Sequence, residues 1–197
     1  MCIRDSGYFA LAAAMLSFTD PQFAQQYGDM ATLVTRDYAN WVRDDKQFPY
    51  LRTFDTFLGR SSAGGYSSPG GENQESSSEA IQSWVGEYLL GTALGNEDMQ
   101  AAGAMGYVTE RAAVRQYYMD AVGGSDATNP HGPSSYPADY PYPWVGIMND
   151  AGPTYSNYFS GDNLWSAAIQ WMPTSSAFNY LGWDLSLIHI SEPTRPY

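Results

Sequence analysis

Gly71-Glu72-Asn73-Gln74-Glu75-Ser76-Ser77-Ser78-Glu79-Ala80 is a dense run of polar side chains at the mouth of an apolar helical pattern. Asn73 is a good N-cap, and a helix from about Gln74 to Leu94 then carries Glu75 in its first turn, where the helix dipole favours a carboxylate. Glu75 and Glu79 are four residues apart, a spacing that puts both on one helix face. Like charges so placed repel by a few tenths of a kcal/mol. Two readings fit this cluster. One is a solvated helix face; the other is a carboxylate pair for acid–base chemistry.

Outward from this stretch, the chain reads as helices and long loops. Gly7–Leu16 is an alanine-rich buried helix. Thr19-Asp20-Pro21 stops it and starts another, from about Pro21 to Arg43, with an apolar stripe of Phe23, Tyr27, Met30, Val34, Tyr38 and Trp41. The two form a helical hairpin. Residues 44–71 have no sustained period and end in a Gly/Ser-rich loop leading into the polar run. The helix after that run is expected to face inward with Ala80, Trp84, Tyr88 and Leu89 or Gly91. Gly95 ends it, and Asn96 caps a fourth helix to about Val122, whose Gly103 and Gly106 either weaken it or allow close packing. Residues 125–162 are loop-like and rich in Pro and Tyr, with short strands expected at Val145–Met148. Asp162 then opens a short helix to about Trp171. Asp44-Asp45 reads as a solvated helix end and His131 as a surface residue.

Both ends read as foreign. Met1–Ser6 is encoded by ATG-TGT-ATA-AGA-GAC-AGn, and Leu185–Ile190 by CTG-TCT-CTT-ATA-CAC-ATC, the reverse complement of the same element. This resembles a transposon-type sequencing adapter translated in opposite orientations, continued by Ser191–Arg195. The expected organisation is therefore 1–6 adapter-derived, 7–184 a partial domain, and 185–197 adapter-derived. Setting the ends aside removes the single cysteine, Cys2, and one of two histidines, His189. It removes charges of both signs equally, so the net charge stays −12. No Cys/His metal cluster or disulfide framework can be built, and neither metal nor cofactor is expected.

The acidic balance argues against a nucleic-acid partner. The longest apolar run, Phe9–Leu16, is far short of the roughly 20 residues that span a bilayer. Abundant aromatic residues with Asn, Gln and Asp suit a neutral, hydroxyl-rich ligand such as a sugar, or equally Tyr-rich loops capping a helical core.

Read together with its neighbours, the polar run resembles glycoside hydrolase family 81, the endo-β-1,3-glucanases. Asn73–Ala80 matches the family's Asn-Gln-Glu-Ser-Ser-Ser-Glu-Ala. Phe48-Pro49-x-Leu51-Arg52-x-Phe54-Asp55 resembles its Phe-Pro-x-Leu-Arg-x-Phe-Asp, and Gly7-Tyr8-Phe9 resembles the end of its Asp-x-x-x-His-Tyr-Gly-Tyr-Phe. Tyr155–Phe159 and Ile169-Gln170-x-Met172-Pro173 resemble later segments. At Gly59-Arg60-Ser61-Ser62-Ala63 the family often reads Gly-His-Ser-Trp-Ala; the lost histidine and tryptophan imply altered sugar contacts there.

The resemblance implies an all-α fold, part of an (α/α)6 barrel, acting on β-1,3-glucan with inversion. Inversion needs an acid and a base about 6.5–9.5 Å apart. By the resemblance, Glu75 and Glu79 lie on the water-activating side, and the general-acid aspartate falls before Gly7 and is missing from this fragment, Asp5 being adapter-derived. It also implies substrate contacts from Tyr8, Arg52, Asp55, Asn73 and Gln74, although Asp55 reads equally as lining the cleft or pairing with Arg52. A secreted monomer, acting on polysaccharide and not on a membrane, is expected. A non-catalytic glucan-binding protein on the same fold is the alternative, and a purely structural helical toroid is a third.

Overall fold

The computed structural model describes residues 3–65, 72–119, 140, 142, 144–150, 152–172, 175–177 and 179. Its long helices are α1 (Ile3–Thr19), α2 (Pro21–Ala39), α3 (Ser77–Leu94) and α4 (Glu97–Tyr117), with a short α5 (Asn163–Ala168) near the C-terminal end. Among the described residues, five short strands supplement them: β1 (Phe54–Asp55), β2 (Arg60–Ser61), β3 (Asn73–Gln74), β4 (Ile147–Asn149) and β5 (Gly152–Thr154). The architecture is thus helix-rich with two small sheets, rather than purely helical. His131 lies outside the described residues.

The helix boundaries follow local chemistry. Asp20 caps α2 by accepting the Gln22 N–H at 2.9 Å, with Pro21 at the first helical position. Gly95 takes φ +67° and returns its N–H to Thr92 and Gly91 carbonyls, closing α3. Asn96 caps α4 through the Met99 N–H at 3.0 Å. α1 starts at Ile3, inside the segment read as foreign. α2 ends at Ala39, short of Arg43, because the Asn40 side chain turns back to the Val42 and Phe48 carbonyls. Asp45 is no solvated helix end: it pairs with Arg36, and the Gln47 N–H holds its carboxyl below the usual range.

α3 is the central element, packed between α1 and α4. Ala80, Ile81, Trp84 and Leu90 are fully buried, so the helix is apolar on more than one face. Approach on both sides is at backbone distance. A Cβ on Gly86 would lie 2.8 Å from the Leu11 nitrogen, and one on Gly103 would lie 2.4 Å from the Tyr88 nitrogen. With its backbone against Gly103, Tyr88 does not face inward as its spacing suggests; it is half-exposed at the rim. The glycines of α4 thus allow close packing.

α2 departs further from expectation. Gly28, Ala31, Thr35 and Tyr38 form its buried face. Most of the apolar stripe points outward instead, and Phe23, Tyr27, Met30 and Val34 line an open groove with Phe9 and Leu16 of α1. Small residues, not large ones, win the inward side because Gly28 sits directly against Leu94.

The polar run is not one helix start. Asn73 and Gln74 pair antiparallel with Asn149 and Met148, extending the β4–β5 hairpin to the three-stranded order β3-β4-β5. Ser76, not Asn73, is the N-cap of α3. β1 and β2 form a separate antiparallel pair, Phe54 opposite Ser61 and Asp55 opposite Arg60. Ahead of it Leu51 holds φ +44°, a left-handed conformation that costs a leucine about 1–2 kcal/mol. Its N–H on the Asn40 carbonyl and its burial beside Tyr38, Phe54 and Trp84 keep it there.

Candidate active site

Glu75 lies in the turn between β3 and α3, and Glu79 in the first turn of α3. They therefore do not share a helix face, yet the turn brings them together. Arg4 Nη1 stands 3.1 Å from Glu75 Oε2 and 3.9 Å from Glu79 Oε2. Glu75 is 4% exposed, and its Oε1 accepts the backbone N–H of Tyr158 at 2.6 Å. Glu79 is more open, and its Oε1 accepts the Tyr8 hydroxyl at 2.7 Å. Partial burial, then the bond to Glu79, raise the Tyr8 pKa, so the phenol stays protonated and donates.

Ser76-x-x-Glu79 has the spacing of a capping box, in which the glutamate side chain returns to the N-cap amide. Only half of it forms. Ser76 Oγ accepts the Glu79 N–H at 3.3 Å, while the Glu79 carboxylate is directed to Tyr8 and Arg4. A side chain that could close its own helix end faces the other carboxylate instead.

The serines beneath this pair are fully buried. Ser76 Oγ and Ser78 Oγ donate to the Ile169 carbonyl at 3.1 and 3.0 Å, and Ser78 Oγ also bonds the Met172 carbonyl at 2.6 Å. Gln170 clamps the backbone on both sides of Ser76. Its Oε1 accepts the Ser77 N–H and hydroxyl at 3.1 and 2.6 Å, and its Nε2 donates to the Glu75 and Gly146 carbonyls at 2.7 and 2.9 Å.

A second buried chain holds Gln74. Its Nε2 donates to Ser61 Oγ at 2.9 Å, Ser61 N–H and Oγ both donate to Glu110 Oε1, and Trp84 Nε1 donates to Glu110 Oε2 at 2.8 Å. Burial raises the Glu110 pKa, opposed by these donors and by Arg60.

Residues 5–184 match the model of the glycosyl hydrolase family 81 C-terminal domain. The chain belongs to this family. A glucan endo-1,3-β-D-glucosidase of Acetivibrio thermocellus is 36% identical over 185 residues, covering 92% of this chain and 23% of that protein. One from Thermobifida fusca is 33% identical over 195 residues, 96% of this chain and 24% of that protein. A solved family 81 glycoside hydrolase from Clostridium thermocellum, a glutamate-to-alanine mutant, superposes with a TM-score of 0.80 at 31% identity, covering 98% of this chain and 27% of that one. The chain spans about a quarter of the length of the curated relatives it matches.

Within this family 81 domain, the residues singled out from sequence fall into two groups. Glu75, Glu79 and Tyr8 converge. Gln74 is adjacent but fully buried below them, in the hydrogen-bond chain to Glu110. Asn73 offers its carbonyl to the Ala63 N–H at 2.7 Å. Arg52 binds the Asp37 carbonyl at 2.6 Å and the Gly64 carbonyl at 2.9 Å, bracing α2 against the 59–65 loop. Asp55 Oδ1 accepts the Phe57 and Leu58 amides and shapes the β1–β2 turn. Three contributors lacked a role in the sequence reading: the Tyr158 amide, Gln170 and Glu110. The first two lie in segments with family likeness, which was the only signal they gave; Glu110 gave none.

Proposed function

We propose that the chain is part of the catalytic domain of a secreted, endo-acting glycoside hydrolase that cleaves β-1,3-glucan with inversion, on an (α/α)6 barrel. The observation that carries this reading is the convergence of Glu75 and Glu79, one held by a backbone amide and the other by a phenol, on a floor of buried serines. The names of the relatives support the substrate, and the antiparallel helical hairpins support the barrel. The described helices include none long and apolar enough to cross a membrane.

Glu79 is the base in this reading. It is the more open of the two carboxylates, whereas Glu75 is 4% exposed and is held by the Tyr158 amide. Glu75 fixes the water's orientation, Gln74 holds the strand beneath, and Tyr8 keeps Glu79 in place. Arg4 belongs to residues 1–6, which we read as adapter-derived together with 185–197, so it receives no catalytic role. The proton donor is an aspartate of the family pattern that precedes Gly7.

The test is laminarin hydrolysis by the protein from the intact gene. Glu79→Gln is expected to lower kcat by at least about 1000-fold, with Glu75→Gln close behind. Wild-type turnover by Glu79→Gln would sink the assignment. The 197-residue chain by itself is expected to release no reducing sugar.

A further inference from the structure

The loop before α5 spends its polar groups inward and its rings outward. Asn157 Oδ1 accepts the Phe159 and Ser160 amides at 3.1 and 2.6 Å, and Asp162 Oδ1 accepts the Leu164 amide at 2.9 Å. The Tyr158 amide sits on Glu75. Despite this fixed backbone, the Tyr158 ring is 66% exposed and the Phe159 ring 58% exposed. Among the described residues, Phe159 makes an edge-on ring contact with the half-exposed Trp165, at 6.1 Å between centroids and 70° between planes. The nearby Tyr142–Tyr155 pair differs: its rings stack on each other at 4.1 Å and 11°, so those faces are taken.

Large aromatic rings held out of a core by a rigid turn, beside a carboxylate pair, have free faces to offer. A ring face attracts weakly positive C–H groups. A β-glucopyranose presents axial C–H bonds on both faces, because its hydroxyls are equatorial. It is also neutral, which suits a chain of net charge −12 better than an anionic ligand does.

We propose that Tyr158 and Phe159 form a stacking platform for one glucopyranose ring, a sugar subsite bordering Glu75. The proposal rests on the glucanase reading and deepens it. One residue then serves twice: its amide sets the Glu75 carboxylate and its ring seats the neighbouring sugar. A chain bound there has its next linkage directed towards the carboxylates.

The experiment is titration of the protein from the intact gene, made inactive by Glu79→Gln, with laminarihexaose (β-1,3) and cellohexaose (β-1,4), by calorimetry, on that background for the wild-type platform, Tyr158→Ala, Tyr158→Phe, Phe159→Ala and Phe18→Ala. Phe18 is an exposed control on the last turn of α1, about 15 Å along the helix from Tyr8. Laminarihexaose binding is expected to weaken about tenfold or more in Tyr158→Ala and Phe159→Ala, less than about threefold in Tyr158→Phe, and not at all in Phe18→Ala. Wild-type affinity in both platform alanine variants overturns the platform and leaves the β-1,3 reading standing. An equal loss in Phe18→Ala, or no glucan bound by the wild-type platform, also overturns it. Binding of cellohexaose alone, with the same Tyr158 dependence, upholds the platform and breaks the β-1,3 reading.

Discussion

Two buried carboxyl groups, one on each of the packed helices α3 and α4, stand in opposite circumstances. Glu110 of α4 accepts three hydrogen bonds, from Ser61 and Trp84, and through Ser61 supports Gln74 below the glutamate pair. Glu87 of α3 is just as buried, but neither of its oxygens has a hydrogen-bond partner among the described residues. A satisfied polar network adds uniqueness to a core, while an orphaned carboxyl only costs stability. The contrast separates polarity that builds the site from polarity that the helical core merely tolerates.

Six substitutions would break or sharpen the contrast. Gln170→Ala strips partners from the Ser77 amide and the Glu75 and Gly146 carbonyls at once. It should cost about 4 kcal/mol in urea unfolding, the largest effect of the set. Glu110→Leu leaves the Ser61 amide and Trp84 Nε1 without acceptors and should cost about 3 kcal/mol by the same measurement. A neutral result for either would mean that the polar floor is not the stabilising part of the molecule.

Glu87→Met carries the opposite sign. Removing the unpartnered carboxyl at similar volume should add about 1–2 kcal/mol at pH 8, raising Tm by about 2–8 °C. Burial holds the Glu87 pKa well above its ordinary 4.5. The folded chain therefore keeps a proton that the unfolded chain releases, and stability falls as pH rises from about 4.5 through the folded-state value. Glu87→Gln should flatten that fall between pH 5 and 8. Glu110 is shifted in the same direction, so some slope should persist. A slope unchanged in Glu87→Gln would remove Glu87 from the account.

The smallest effect tests the helix start. Ser76→Ala should cost about 1 kcal/mol for the cap alone, with more for its bond to Ile169, whereas Asn73→Ala should stay within about 0.5 kcal/mol. Equal costs would return the cap to Asn73.

Those two residues also mark how far the sequence could be read. Caps at Asp20, Asn96 and Asp162 and the stop at Gly95 depend on neighbours within a turn, and they stand where local chemistry puts them. Asn73 is an equally good local cap, but Asn149 claims its backbone for a sheet from 76 positions further along. Ser76–Ser78 look like solvated polar residues until the 169–172 segment covers them. The α2 stripe is a true amphipathic signal, yet periodicity does not say which side meets α3, and Gly28 against Leu94 decides that. The family likeness marked Glu75 and Glu79 as candidates; their four-residue spacing implied a shared helix face, and a turn replaces it.

The Gln170 clamp also has a consequence in time. Gln170 lies 95 residues after the Glu75 whose carbonyl it holds. At synthesis rates of about 5–20 residues per second, Glu75 leaves the ribosome about 5–20 s before its clamp does. The turn that carries Glu75 is thus made early and set late, and α1 to α4 must persist through that interval as a half-finished scaffold with that turn unclamped.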